Sequence, residues 1–275
     1  MSGGNRIVYR LDNSAGVKKC FLTRMERNLK LTLAYDGHDF AGWQVQPGLA
    51  TIQGALVSAI EQLTGEKTLP QGSGRTDAGV HALAQVATVQ IASPIPINNL
   101  RKALNDILPE SIRVLNVEEV SAEFHARKSA KAKTYRYRVY REEICPPFLT
   151  RYVYHHPYPL DEAAMLESAA EIEGEHDFTS FAAVDPERNR ENTEANNVRK
   201  IFSSKWAREG PELIYTVRGN GFLHHMVRNL VGTFLMIGKG SLGKPDLRRI
   251  LEARNRSAAA ATAPASGLFL VSVEY

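Results

Sequence analysis

The stretch Gly72-Ser73-Gly74-Arg75-Thr76-Asp77-Ala78-Gly79-Val80-His81-Ala82 constrains this chain most. Three glycines, one arginine and one aspartate fall within eleven residues. The apolar, β-branched run 84–91 follows, so the loop delivers the chain into a strand. Glycine permits positive φ and close approach of backbone to a ligand. The loop is therefore expected to present Arg75 and Asp77 at the entrance of a sheet. A cation beside Asp77 would keep its carboxylate ionised, the state of a nucleophile or electrostatic partner. A tight turn in which Arg75 and Asp77 merely pair is the plainer alternative. A P-loop is a poor match, because the glycine-lysine-serine/threonine ending is missing and no helix follows.

Along the chain, residues 29–35 alternate as a strand and 36–39 turn. Thr51 can cap a helix that aligns Ile52, Leu56, Ile60 and Leu63, and Gly65 ends it. Pro94 and Pro96 break the strand 84–91; a helix over 99–108 and a strand over 112–119 complete a first α/β lobe. The second lobe repeats the plan: a strand at 134–140 and a helix at 160–172. A polar loop at 183–197 reads as mobile, and 198–206 with 212–218 form a hairpin. An apolar helix at 223–237, a short helix at 245–253 and a closing strand at 268–274 follow. The expected fold is α+β: two lobes sharing one mostly antiparallel sheet with helices packed on it. The expected boundaries are an extension over 1–28, an N-terminal lobe over 29–125 and a C-terminal lobe over 126–275.

The net charge of +4 leans only mildly toward an anionic partner. Its distribution says more. Arg127, Lys128, Lys131, Lys133, Arg136, Arg138 and Arg141 interleave with Tyr135, Tyr137 and Tyr140, the mixture that grips phosphates and stacks on RNA bases. Cys20 and Cys145 form no CxxC pair, which fits a reducing cytoplasm. No run of eighteen apolar residues occurs, so no membrane span is expected, and the N-terminus does not read as a secretory signal. The histidines lack HExxH spacing or cysteine partners, so no metal is expected. His224 and His225, at the start of an apolar helix, are assigned to packing.

Residues 74–82 resemble the signature of the TruA family of tRNA pseudouridine synthases. Further similarities follow in order: 33–37 with 40–44, 124–127, 133–137, 174–181, 222–229 and 259–268. The resemblance spans about residues 29–275. It implies two ferredoxin-like or RRM-like lobes with a catalytic cleft between them. It also implies that uridine already inside RNA is isomerised: N1–C1′ breaks, the held base turns, and C5 joins C1′. No cofactor or metal is implied. Asp77 is the expected nucleophile; whether it attacks ribose or base, or assists elimination, stays open. Tyr135 corresponds to the family's active-site tyrosine, whose ring can stack on uracil and whose hydroxyl is a candidate acid or base. Arg228 is the proposed partner of Asp77. Leu268 corresponds to an apolar residue against the bound base, and Arg75 is expected to flip or replace the target nucleotide. Trp43 is expected either to touch RNA or to be buried.

The family's substrate is the anticodon stem-loop of tRNA at positions 38, 39 and 40, and its members act as homodimers. The rivals are a catalytically silent RNA-binding protein on the same scaffold and a hydrolase using Asp77. The family pattern begins just after Met25, which makes Met25 a candidate true start; a disordered tail is the alternative.

Overall fold

A computed structural model describes residues 26–184 and 196–275. Met25, nearly all of the 1–28 extension and residues 185–195 of the polar loop lie outside the described residues. The N-terminal half runs β1 (Arg27–Tyr35), α1 (Ile52–Thr64), β2 (Gln71–Gly72), β3 (His81–Ile91), α2 (Ile97–Ile107) and β4 (Ile112–Val120). The rest runs β5 (Ala132–Tyr140), β6 (Tyr154–His155), α3 (Glu162–Ala169), β7 (Gly174–Asp177), β8 (Val198–Glu209) and β9 (Glu212–Gly219). It closes with α4 (Met226–Gly238), α5 (Lys244–Ala253) and β10 (Leu268–Glu274).

Local chemistry sets these ends. The Thr51 hydroxyl accepts from Gly54 N–H at 3.2 Å, and Gly65 adopts φ 72° and returns its N–H to Glu61. Helix α2 starts two residues before the expected 99, because Pro96 lacks an N–H and its φ of −58° already suits a helix start. Asp161 caps α3, which tightens into a 3₁₀ turn at Ala170–Ile172. The expected hairpin is present, with Glu209 facing Glu212 across a turn at Gly210, φ 56°.

All ten described strands join one sheet, in the order β4-β1-β3-β10-β5-β9-β8-β7, with β2 on β3 and β6 on β5. Its pairings are antiparallel except β3–β10 and β5–β6. The last strand is inserted between the halves. On β10, Leu270 faces Ala82 of β3 on one side and Tyr135 of β5 on the other. Strands β2 and β10 divide one edge of β3: β2 takes Ala87 and Thr88, and β10 takes His81 and Ala82. Residues 73–80 therefore span the point where β3 changes partners, at the seam of the sheet.

Leu29, Leu31 and Leu33 of β1 are buried in one apolar cluster with Ile52, Leu56 and Ile60 of α1. In the other half Phe234 of α4 packs against Tyr215 and Trp206 at ring separations of 5.2 and 6.1 Å. Each such side chain contributes about 1.5–3 kcal/mol by leaving water. This packing fixes α4 against the sheet and so fixes what its first turn presents.

Candidate active site

The glycine loop is held backbone to backbone. Trp43 N–H donates to the Thr76 carbonyl at 3.0 Å, and Gly79 N–H to that of Phe40 at 3.2 Å. Gly42 sits at φ 95°, where a Cβ would lie 2.6 Å from the Thr76 oxygen. At Gly37 a Cβ would lie 1.9 Å from the Val80 oxygen. The approach is possible only without side chains. Beneath the loop, the fully buried Gln85 accepts from the Ser73 hydroxyl at 2.6 Å and donates to the Gly74 carbonyl at 3.0 Å. Tyr35 and Thr76 share a hydroxyl–hydroxyl bond of 2.8 Å. Burial pushes the Tyr35 hydroxyl up to about 12, so it remains protonated. Asp77 thus follows a residue pinned through both backbone and side chain.

The Asp77 carboxylate meets the first turn of α4. Arg228 donates from Nη1 to Oδ2 at 2.9 Å and from Nε to the Ala263 carbonyl at 2.8 Å. Ala263 N–H returns to the Arg228 carbonyl at 3.1 Å. The next residue, Asn229, is fully buried; it donates to the Phe181 carbonyl and accepts from Arg256 and Thr262. Arg228 is therefore oriented before any ligand arrives. His225 precedes the helix at φ 59°, a left-handed conformation that non-glycine residues seldom adopt. It turns both neighbouring imidazoles toward the aspartate. His224 Nε2 lies 3.6 Å from Oδ1, and His225 Nε2 lies 3.5 Å from Oδ2. Burial lowers the pKa of His225, with the Asp77 charge opposing.

Tyr135 is buried on β5, edge-on to Phe222 at 5.0 Å. Burial raises its hydroxyl pKa, and nearby Tyr35 and Asp77 raise it further, so the phenol is a weaker acid than a free tyrosine. Leu268, also buried, faces Tyr137 across the β10–β5 ladder. Tyr137 is fully buried and donates to the Pro264 carbonyl at 2.8 Å. Lys133 Nζ donates to the Ser73 carbonyl at 2.5 Å, against the same loop. Burial lowers Lys133 to about 8, and Arg127 and Arg199 add to the shift. Arg75 is exposed on the loop.

The model of the tRNA pseudouridine synthase family matches residues 32–127 and 168–275. The chain belongs to that family. Among similar proteins, tRNA pseudouridine synthase A of Solibacter usitatus (strain Ellin6076) is 56% identical over 249 residues, covering 90% of this chain and 100% of its own. That of Moorella thermoacetica (strain ATCC 39073 / JCM 9320) is 45% identical, covering 90% and 99%. That of Caldicellulosiruptor saccharolyticus (strain ATCC 43494 / DSM 8903 / Tp8T 6331) is 42% identical, covering 90% and 100%. The mixed α+β fold with one mostly antiparallel sheet agrees with membership of the pseudouridine synthase family. No described helix is long and apolar enough to cross a membrane.

One expectation for this family site is corrected, one open alternative is decided, and a third expectation gains a competing observation. Trp43 is buried: it lies beside Tyr35 at 6.4 Å, and a Cβ on Gly72 would come within 2.6 Å of its ring. It therefore supports the loop instead of facing RNA. His224 and His225 are not packing residues but flank the aspartate. The sequence could not signal this, because a left-handed histidine breaks the helical pattern that places side chains by spacing. Third, Asp77, His224 and His225 form a possible ligand group among the described residues, whose ligand atoms lie within 4.8 Å of one another.

Proposed function

We propose that this chain isomerises uridine to pseudouridine in tRNA, at positions 38, 39 and 40 of the anticodon stem-loop, with Asp77 as nucleophile. The observation that carries this reading is the Asp77–Arg228 bond of 2.9 Å, made between a β3 loop and an α4 side chain across the sheet seam. It fixes one carboxylate oxygen and leaves the other, Oδ1, without an arginine partner. The reaction needs no more than rearrangement. The N1–C1′ bond breaks, C5–C1′ forms, C5 loses its proton and N1 gains one. Asp77 supplies the negative charge that the separating sugar or base requires, and Arg228 orients it. The Tyr135 ring and Leu268 hold the detached uracil by stacking and apolar contact. Arg75, on the exposed loop, takes the place of the extruded nucleotide.

The lobes in this reading are 29–125 and 126–275, and the enzyme acts in the cytoplasm as a homodimer without cofactor. Two copies double a modest basic surface, which suits a large polyanion. A silent RNA-binding protein would have no use for an arginine oriented on a carboxylate. Mapping pseudouridines in bulk tRNA before and after incubation with the protein tests the assignment. New pseudouridine at 38–40 is expected; an unchanged map, or a change confined to other positions, contradicts it.

A further inference from the structure

We propose that Asp77, His224 and His225 form a site for a zinc-class transition-metal cation, and that occupancy of this site silences the enzyme. The cation site stands on geometry alone. That its occupancy stops turnover rests on the reading of Asp77 as the reacting carboxylate.

Three observations converge. The first is ligand type and spacing. Two imidazoles and one carboxylate are a common ligand set for zinc with an open fourth position. Ligand atoms on a tetrahedron with bonds of about 2.0–2.1 Å stand roughly 3.3 Å apart. Here His224 Nε2 stands 3.6 Å from Oδ1 and His225 Nε2 stands 3.5 Å from Oδ2, and one ligand atom from each residue lies within 4.8 Å of the others. Side-chain rotations that close this spread would bring the set onto one ion.

The second is the tautomer of His224. Its Nδ1 lies 3.1 Å from the Val184 carbonyl, which can only accept, so Nδ1 carries the proton. Nε2, the other ring nitrogen, faces Asp77 Oδ1 across 3.6 Å, on the side where a cation would sit. A backbone carbonyl on the distal nitrogen is also the usual support of a metal-binding imidazole.

The third is backbone geometry. Adjacent residues seldom aim their side chains at one point, yet His225 at φ 59° brings the two rings to 4.0 Å between centroids, both beside Asp77. Such conformations persist only where the surroundings enforce them.

Arg228 opposes the cation. It holds Oδ2 at 2.9 Å, and Arg256 adds positive charge nearby. The site is therefore expected to be weaker than a closed structural zinc site and to release its ion to a chelator. Imidazole also sets the selectivity: zinc, nickel and copper suit it, whereas magnesium prefers oxygen ligands and keeps its waters. The magnesium that accompanies tRNA should leave the site empty.

The test is a titration of the full-length protein with Co²⁺, followed by visible absorption in the absence of tRNA. One equivalent is expected to give the absorption of four- or five-coordinate cobalt, and Zn²⁺ is expected to abolish it. His224→Gln and His225→Asn, the latter chosen because asparagine tolerates the left-handed conformation, should each weaken binding by at least roughly tenfold. His155→Gln and Cys145→Ser should leave it unchanged. In parallel, Zn²⁺ should inhibit pseudouridine formation, EDTA should restore it, and equal Mg²⁺ should have no effect. Absent cobalt bands, or bands that survive both site variants, would overturn the site. Bands with the expected variant pattern but full activity under saturating Zn²⁺ would overturn the inhibition and count against Asp77 as the reacting group. A protein that binds cobalt yet makes no pseudouridine without metal would leave the site standing and contradict the proposed function.

Discussion

Arg228 makes two directional bonds from one planar group, to Asp77 and to the Ala263 carbonyl. A lysine keeps the charge but cannot make both. Charge-assisted hydrogen bonds contribute about 1.5–3 kcal/mol, so Arg228→Lys should lower kcat/KM roughly ten- to hundredfold in a steady-state assay and lower the melting temperature as well. Tyr135 separates ring from hydroxyl. Its hydroxyl stays protonated because burial raises its pKa, so it can donate a hydrogen bond but is not a ready base. Tyr135→Phe should keep tRNA affinity and lower kcat by up to about tenfold, the loss of one neutral donor. Tyr135→Ala should also weaken binding by about 1–3 kcal/mol, the contribution of one stacked base, measured by filter binding. The sequence pointed to Asp77 and Arg228 as partners through family resemblance, and the 2.9 Å bond agrees. It pointed His224 and His225 to packing, because nothing in residue type announces a left-handed histidine.

At the scale of elements, glycine marks where backbones touch. Gly232 lies on the face of α4 against the 259–263 segment, and a Cβ there would stand 2.0 Å from the Ala261 oxygen. Neither backbone can yield easily. Gly232→Ala should therefore cost at least about 1–3 kcal/mol in denaturant unfolding, the usual range for overpacking, even though alanine favours helices. Activity should fall with it, since the same segment carries the Ala263 carbonyl that aims Arg228. An unchanged denaturation midpoint would show that this contact does not position the helix. Elements with capping chemistry were legible. Thr51 and Gly65 bracket α1 as expected, and β10 has the expected bounds. The two-residue strands β2 and β6 and the Gly-Glu-His-Asp strand β7 were not anticipated. They are too short or too polar to show an alternating pattern, and their pairing comes from the neighbouring strand.

At the scale of the whole molecule, the insertion of β10 between β3 and β5 creates the seam where the site lies. Local patterns gave the longer strands but not this order, which depends on pairing between residues far apart in the chain. Lys133 couples the seam to pH. Its ammonium is charged below about 8 and neutral above, beside the Ser73 carbonyl. Binding of tRNA should weaken between pH 7 and 9, and Lys133→Arg should flatten that change at fixed salt. Stability moves the other way. An unfolded lysine holds its proton until about 10.5, so between 8 and 10.5 the unfolded chain binds more protons. The unfolding free energy should therefore rise across that window, as denaturant titrations at pH 8 and 10 would read. The most direct measurement is tritium release from tRNA carrying 5-tritiated uridine, comparing the native chain with Asp77→Ala. Release at 38–40 by the native chain and none above background by the variant is expected, with both proteins folded and both binding tRNA. Release by Asp77→Ala at a rate near that of the native chain would contradict it.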